Sequence, residues 1–321
     1  MPSAVQTMSS PRMSLAAPTI AVLIPCLNEE AAIGTVVADF RRALPSAAIW
    51  VFDNRSSDST ATVARAAGAE VRHVAQRGKG NVVRRMFADV EADVYVLVDG
   101  DSTYDASAAP NLIRCLTEGG LDMVVASRKH DEAAAYRLGH RAGNRIFNEF
   151  VGWLFGRGFS DVFSGYRAFS RRFVKSFPAL ATGFEIETEL TIHALELRMP
   201  VEEIEAHYKA RPDGSESKLR TYRDGLRILW TIVRLFQRER PFQFFGSASL
   251  MLAAIAVGIA IPLFVTYVET GLVPRFPTAI LASGMMLLSA LSAVCGIILD
   301  TVSLSRLETR RLAYLNVARR S

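Results

Sequence analysis

The sequence predicts an α/β domain built on a mainly parallel, doubly wound sheet, followed by a C-terminal amphipathic helix and a two-helix transmembrane hairpin. From Thr19 onward, short β-branched runs alternate with helical stretches, the pattern of successive βαβ units. The runs are continuously apolar, as strands covered on both faces are. Half of the 321 residues are hydrophobic, and the surplus over a single core falls almost entirely after Phe242, which divides the chain into a soluble-looking part and a membrane-like part.

Taken in order, residues 1–17 are rich in Ser, Ala and Pro and lack the apolar stretch of a signal peptide, so they are expected to form a disordered tail. The domain proper, 18–220, opens with the strand IAVLIP (20–25) and a helix over about 29–44. Further strands are predicted at 48–53, 70–74, 93–99 and 122–127, with helices starting near Asp58, Lys79 and Ala108. Past Arg128 the pattern is mixed: a helix over 136–155, a strand near 165–170 and a helix over 184–198. Between 221 and 243, Leu226, Leu229, Trp230, Val233 and Phe236 share one helical face and Arg223, Arg227, Arg234 and Arg238 fall largely on the other, as in a helix lying in a membrane interface. The runs 244–268 and 276–299 carry no charge and are long enough to cross roughly 30 Å of hydrocarbon. Residues 300–321 read as a basic tail.

The net charge of +5 does not mark a nucleic-acid binder, because the cations are not interleaved with aromatic residues along a stripe. They crowd the flanks of the two apolar runs. By the positive-inside bias both flanks, and with them the main domain and both termini, are expected to be cytoplasmic. Cys26, Cys115 and Cys295 form no CxxC pair and are expected to be reduced thiols. His73, His130, His140, His193 and His207 show no metal-ligand spacing and are read as structural or exposed.

Ligands of doubly wound sheets bind at the carboxyl ends of the strands, and polar residues cluster there: Asn28 and Glu29, Asp53 and Asn54, Asp99 and Asp101, and Arg128. Asp99-Gly100-Asp101 follows an apolar strand directly. Two carboxylates there suit a hard cation, Mg²⁺ or Mn²⁺, shared with a diphosphate; the plain alternative is a solvated turn. Asp53 opens Asp-Asn-Arg-Ser-Ser-Asp-Ser-Thr, in which Ser57 or Asp58 is a candidate helix N-cap and Asp53 itself could accept hydrogen bonds from a nucleobase. Arg77-Gly78-Lys79-Gly80 reads either as a phosphate loop, with Lys79 beside the phosphates, or as a solvated basic turn.

Several of these motifs, in this order, resemble the family 2 glycosyltransferases of GT-A fold, specifically the polyprenyl-phosphate and dolichyl-phosphate sugar synthases. The resemblance runs from about Ile20 to Leu219 and rests on PCLNEE (25–30), FDNRSSDST (52–60), RGKGN (77–81), DGDSTYD (99–105), ASR (126–128), FSGYRAFSR (163–171), GFEIETEL (183–190) and GSESKL (214–219). It implies that Pro25, Asn28, Glu29 and Asp53, with Lys79, hold the nucleotide sugar, and that Asp99 and Asp101 hold the metal and diphosphate. It further implies that Arg128, Arg141, Arg211 and Lys218 lie near the acceptor phosphate. Asp101, Arg128 and Arg211 are then the expected catalytic residues. Two positions depart from the family pattern: Thr103 stands where relatives often carry Gln or Glu, and His140 where they often carry Ser.

The reaction expected from the resemblance is inverting transfer of a hexose from a nucleoside-diphosphate sugar to undecaprenyl or dolichyl phosphate. A lipid phosphate is ionised near neutral pH, so catalysis would consist of positioning and charge neutralisation. A processive polysaccharide synthase is the first alternative; the sequence lacks that class's Gln-x-x-Arg-Trp motif and its additional helices. A non-catalytic nucleotide-binding membrane scaffold is the second. Small residues on the hairpin, Ala254, Gly258, Ala282 and Gly284, offer a surface for homo-oligomerisation. No local motif reports the sugar.

Overall fold

The computed structural model describes residues 18–130, 138–156, 159–183, 185–209, 230 and 232–318, with backbone alone at 129–130 and 138–145. Strands β1 (Ile20–Cys26), β2 (Ala48–Asp53), β3 (Glu70–His73), β4 (Val94–Leu97), β5 (Met123–His130), β6 (Arg167–Ser170) and β7 (Val201–Tyr208) form one sheet in the order β3-β2-β1-β4-β6-β5-β7. The flanking helices are α1 (Glu30–Ala43), α2 (Thr60–Ala66), α3 (Lys79–Asp89), α4 (Ala109–Glu118), α5 (Leu138–Phe155), α6 (Arg171–Ser176) and α7 (Ile186–Glu196).

The strands are apolar throughout because both faces are covered. Alternate residues divide between two cores. Leu23, Tyr95, Leu97, Met123 and Val125 pack with Val83 and Met86 of α3, Phe147 of α5 and Leu190 of α7. Val22, Ile24, Val94, Val96 and Val124 pack on the opposite face with Ile33 and Val37 of α1, Ala64 of α2 and Leu112 of α4. Each such side chain contributes about 1.5–3 kcal/mol on burial, so uncovering either face would forfeit half of the core.

The expected parallel sheet is interrupted by β6, which runs antiparallel to both β4 and β5 while every other pair is parallel. The cause is where the chain re-enters the sheet. After α5 it returns at the carboxyl edge of β5, where Ser164 Oγ donates to the carbonyl of Ala126 at 2.6 Å, and from there it can only run back down. Two elements, α6 and β7, go beyond the sequence expectations. β7 carries Glu202, Glu203 and Glu205, residues that strands avoid in general but edge strands use to discourage further pairing.

Beyond the domain, residues 232–239 are helical, and α8 (Pro241–Thr270) and α9 (Phe276–Asn316) follow. Both are long and apolar enough to cross a membrane, and their large side chains, among them Leu250, Phe264, Val268, Leu287 and Leu291, are exposed rather than packed. The hairpin is closed by hydroxyls: Ser289 Oγ donates to the Ser249 carbonyl at 2.8 Å, and Ser292 Oγ to that of Phe245 at 3.0 Å. α9 does not stop at Leu299. Its 41 residues span about 60 Å, twice a hydrocarbon core, so the segment expected as a tail continues as helix.

That extension docks on the domain. Tyr314 donates to Asp122 Oδ2 at 2.7 Å, its ring lies 4.9 Å from the Arg172 guanidinium, Arg172 Nε donates to the Val317 carbonyl at 3.1 Å, and Arg310 pairs with Glu196. Asp122 immediately precedes β5, so this contact is on the sheet edge opposite the strand carboxyl ends. Arg240 Nη2, at the start of α8, donates to the Leu154 carbonyl of α5 at 2.8 Å. Nearer the hairpin, Leu299 and Val302 of α9 share a cleft with Glu185 and Glu189 of the α7 region and with the 177–182 segment. α9 therefore acts as a strut from the far edge of the sheet, along α7, to the apolar hairpin.

Candidate active site

The carboxyl ends of the central strands meet because the strands are adjacent and level: Cys26 pairs with Asp53, and Asp53 with His73. The loops that leave them are strained. Asn28, Arg55 and Ser102, at φ 54°, 64° and 60°, lie in the loops after β1, β2 and β4, and they are three of the five non-glycine residues with positive φ among the described residues. Asn tolerates this region, Arg and Ser less so, and such strain concentrates at functional sites.

On the β1–β2 side the two loops are laced together. Asn28 Oδ1 accepts the backbone N–H of Ser57 at 2.8 Å, and the Asn28 N–H donates to Ser56 Oγ at 2.9 Å. The Glu29 N–H donates to Thr60 Oγ1 at 2.8 Å. The N-cap of α2 is Ser59 rather than Ser57 or Asp58 and makes no side-chain cap bond; Glu30 Oε2 accepts the Ser59 N–H at 2.8 Å instead, while Asp58 Oδ1 accepts that of Thr60 at 3.0 Å. Pro25 sits in β1 opposite Phe52. Asp53 is buried and already engaged: Oδ1 accepts the Ser56 N–H at 3.2 Å and Oδ2 lies 3.0 Å from His73 Nδ1. A base bound there must share this carboxylate with His73, whose ring the sequence had left without a partner.

In the Arg77–Gly80 turn, the backbone amides of both glycines are engaged by the fold. The N–H of Gly78 donates to Asn54 Oδ1 at 2.8 Å and that of Gly80 to the Gly183 carbonyl at 3.1 Å. A Cβ on Gly80 would stand 2.2 Å from the carbonyl oxygen of Ala181, so glycine is required there by the backbone of 181–183. These two amides are thus committed to the fold, and the Lys79 side chain reaches the crevice. Its ammonium bridges Asp99 Oδ1 and Glu187 Oε1, the latter at 2.5 Å. Burial alone would lower the Lys79 pKa, but the two carboxylates outweigh it and raise it. Burial raises the pKa of Glu187, which Lys79 only partly offsets; Glu187 Oε2 is buried without a hydrogen-bond partner among the described residues.

Asp99 and Asp101 are held differently. Asp99 is part-exposed beside Lys79, and a Cβ on Gly165 would lie 2.3 Å from Asp99 Oδ2, so the Ser164-Gly165 turn closes directly over this carboxylate. Asp101 is buried, and its Oδ1 accepts both the Thr103 hydroxyl at 2.6 Å and the Thr103 N–H at 3.2 Å. Thr103 therefore orients Asp101 rather than offering a further ligand. Among the described residues no group of three His, Cys, Asp or Glu is placed to hold a metal ion. Two hard carboxylates suit Mg²⁺ or Mn²⁺ when phosphate and water complete the coordination, so the donor set fits a cation shared with a diphosphate.

At the end of β5, Arg128 is bidentate to Asp161, Nε to Oδ2 at 2.6 Å and Nη2 to Oδ1 at 2.7 Å, with its guanidinium 5.5 Å from the centre of the Tyr208 ring. Burial would raise the Asp161 pKa, but the hydrogen bonds and charge of Arg128 hold it below the usual carboxylate range. Arg211 and Lys218 lie outside the described residues, as do residues 1–17, and Arg141 is described by its backbone only. The structure thus brings Asn28, Glu29, Asp53, Lys79, Asp99 and Asp101 to one crevice. It adds Glu187 and Asp161, which sequence reasoning had assigned no role. Glu187 lay within a quoted motif and Asp161 just before one; their only signal was a carboxylate beside an otherwise apolar stretch.

A mixed sheet with acidic residues at the ends of its central strands is the architecture of nucleotide-sugar transferases, and comparison with known proteins agrees. The model of the family "Glycosyl transferase family 2" matches residues 21–177. Glycosyltransferase AglJ of Haloferax volcanii is 35% identical over 251 residues, 77% of this chain and 81% of that protein. A protein of the same organism named dolichyl-phosphate hexose transferase is 30% identical over 222 residues, 69% of this chain and 95% of that one. The fold is shared with glucosyl-3-phosphoglycerate synthase of Mycobacterium tuberculosis, solved with Mn²⁺, UDP-glucose and phosphoglyceric acid, at a TM-score of 0.57 and 24% identity over 69% of this chain and 80% of that chain. The chain belongs to glycosyl transferase family 2 and is a glycosyltransferase of GT-A fold.

Proposed function

We propose that this glycosyltransferase moves a hexose, with inversion, from a nucleoside-diphosphate sugar to the phosphate of a membrane polyprenol. One observation carries the reading: the crevice with its two carboxylates belongs to a domain strutted by α9 onto a hairpin of exposed apolar helices. A water-soluble acceptor needs no such anchor. The relative named dolichyl-phosphate hexose transferase, aligned over nearly its whole length, supports the acceptor class, and the neighbour solved with Mn²⁺ and UDP-glucose supports the donor class.

In this reading Pro25, Asn28, Glu29 and Asp53 hold the nucleoside, and Asp99 and Asp101 hold Mg²⁺ or Mn²⁺ against the diphosphate. The cation supplies Lewis-acid stabilisation of the departing diphosphate. Lys79, fixed by Glu187, places a positive charge beside the same phosphates. Arg128 is kept in one orientation by Asp161 and, with Arg141, Arg211 and Lys218, meets the acceptor phosphate. That nucleophile is already ionised near neutral pH, so no strong base is needed, and the rate comes from alignment and fixed charge. Residues 18–220 are the catalytic domain, the segment from 221 to Arg240 lies at the interface in place of the expected 221–243 because α8 already begins at Pro241, and α8 and α9 are the membrane spans. The arginines flanking the spans support a cytoplasmic catalytic domain and cytoplasmic termini. The test is to incubate membranes bearing the protein with labelled nucleotide sugars and undecaprenyl phosphate and to extract the lipid. Label in a lipid monophosphate sugar is expected; label only in free sugar or in polymer would refute the acceptor.

A further inference from the structure

Between the catalytic domain and the anchor lies a cleft of about 1060 Å³ that the proposed reaction does not use. The α7 region forms one wall, residues 234–241 a second, and α9 from Leu299 to Arg310 a third. Its charged lining comprises Arg234, Arg238, Arg306 and Arg310 against Glu185, Glu189 and Glu239. These charges are not equally available. Glu189 accepts the backbone N–H groups of Leu180 and Ala181 at 3.0 and 2.7 Å. Burial and the neighbouring Glu196 push the Glu239 carboxyl above its usual range. Arg310 is taken by Glu196, and Arg238 makes only a 3.5 Å contact with Glu239. Arg234 and Arg306 are exposed on the cleft walls without an ion pair among the described residues. The excess charge is positive.

Depth decides what this charge meets. The charge-free run of α9 ends at Leu299, and Ser303 Oγ donates to the Arg238 carbonyl at 3.2 Å, which sets Arg238 level with Ser303. At 1.5 Å per residue these two lie roughly 6 Å, and Arg306 roughly 10 Å, beyond the apolar run. The headgroup layer of a bilayer is about 5–8 Å deep on each side, so Arg238 stands within it and Arg306 at its outer edge, while Leu235, Pro241, Leu299 and Val302 also line the cleft.

We infer that the cleft binds the phosphate headgroup of an anionic phospholipid of the surrounding bilayer, held by Arg234, Arg238 and Arg306. This rests on the reading of α8 and α9 as membrane spans. The test uses the full chain in nanodiscs of phosphatidylcholine containing a minor fraction of phosphatidylglycerol, with retained lipid counted by native mass spectrometry. Selective retention of phosphatidylglycerol is expected, weakened roughly 30-fold in R234Q/R306Q, or about 2 kcal/mol for two arginines near the surface. R311Q, on α9 but outside the cleft, is expected to retain it normally. Equal loss in R311Q, or equal retention of phosphatidylcholine, overturns the inference. So does displacement by added undecaprenyl phosphate, which would assign the cleft to the acceptor. A chain that enters the nanodisc yet retains no phosphatidylglycerol overturns this inference alone; one that does not enter overturns the membrane reading as well.

Discussion

The crevice and the hairpin use desolvation in opposite senses. In the crevice, charged groups are withdrawn from water and tied to one another: Lys79 between Asp99 and Glu187, Arg128 on Asp161, Asp101 on Thr103. In the hairpin, apolar groups such as Phe264 and Leu287 are left uncovered, and the helices are joined by serine hydroxyls and by the small buried residues Ala256, Ala282 and Gly296. A buried ion pair gains little net stability, because the desolvation of its partners offsets their attraction. What it secures is orientation. An uncovered apolar helix gains nothing in water and is stable only in a solvent as apolar as itself. The first region is built for geometry, the second for location.

The largest effect is expected at the crevice's most oriented carboxylate. Asp101→Ala should lower transfer by about 10³-fold, on the scale of removing one preorganised charge-stabilising group, with the circular dichroism spectrum unchanged. Wild-type turnover in that variant, with Mg²⁺ or Mn²⁺ present, would break the claim that the crevice is built for geometry. Lys79→Met should be next. It leaves Glu187 and Asp99 without their shared cation, and losing one partner of a buried pair costs about 3–5 kcal/mol, readable as a fall in thermal stability in detergent. Adding Glu187→Gln should restore part of that loss; if the double variant is worse than the single, the bridge is not the main contact of either residue.

A third, intermediate effect lies on the wall between the two regions. His193 is buried, its Nε2 is 3.2 Å from Ser176 Oγ and its Nδ1 has no hydrogen-bond partner among the described residues; burial, with a smaller contribution from the charge of Arg310, lowers its pKa to about 3. Below about pH 6.5 the unfolded chain binds a proton here that the folded chain refuses, so stability falls as pH drops from about 6.5 toward 3. By pH 5 the loss attributable to this group reaches about 2 kcal/mol. His193→Phe should show a flatter profile between pH 6.5 and 5, where few carboxyls titrate; parallel profiles would show that the folded protein accepts the proton. The smallest effect belongs to the strut. Tyr314→Phe removes the hydroxyl bonded to Asp122 and should cost about 1 kcal/mol in thermal stability, leaving membrane association intact because α8 and the apolar part of α9 are untouched.

Much of the sheet was legible. The strands IAVLIP and AIWVFD and the starts of α3 and α4 lie within one or two residues of expectation, because a doubly covered strand leaves an unbroken apolar run and its helix begins just after the polar strand end. β7 was not legible, because the glutamates of VEEIEAHY mimic a solvated segment until an edge position makes sense of them. Neither was the antiparallel sense of β6, which depends on the edge at which Ser164 returns. In the site, Asp99 and Asp101 were found from their place after a strand, whereas Glu187 and Asp161 were not, since a carboxylate that grips a distant cation has no local signature.

The sequence by itself determined the kinds of surface this chain must satisfy: an α/β core with two apolar faces, acidic residues at the strand ends, and two charge-free apolar runs long enough to cross a membrane. These follow from composition and period, which are local. Only the tertiary structure decided which charges meet and how the two regions are joined. The glycines read as a phosphate loop instead seat the backbone of 181–183, Asp53 already shares its carboxylate with His73, and the supposed tail is the strut that ends on Asp122. The physical reason is the range of the forces. Apolar burial is additive along the chain and is written residue by residue, but an ion pair or a hydrogen bond acts over a few ångströms between partners that only the completed fold brings together.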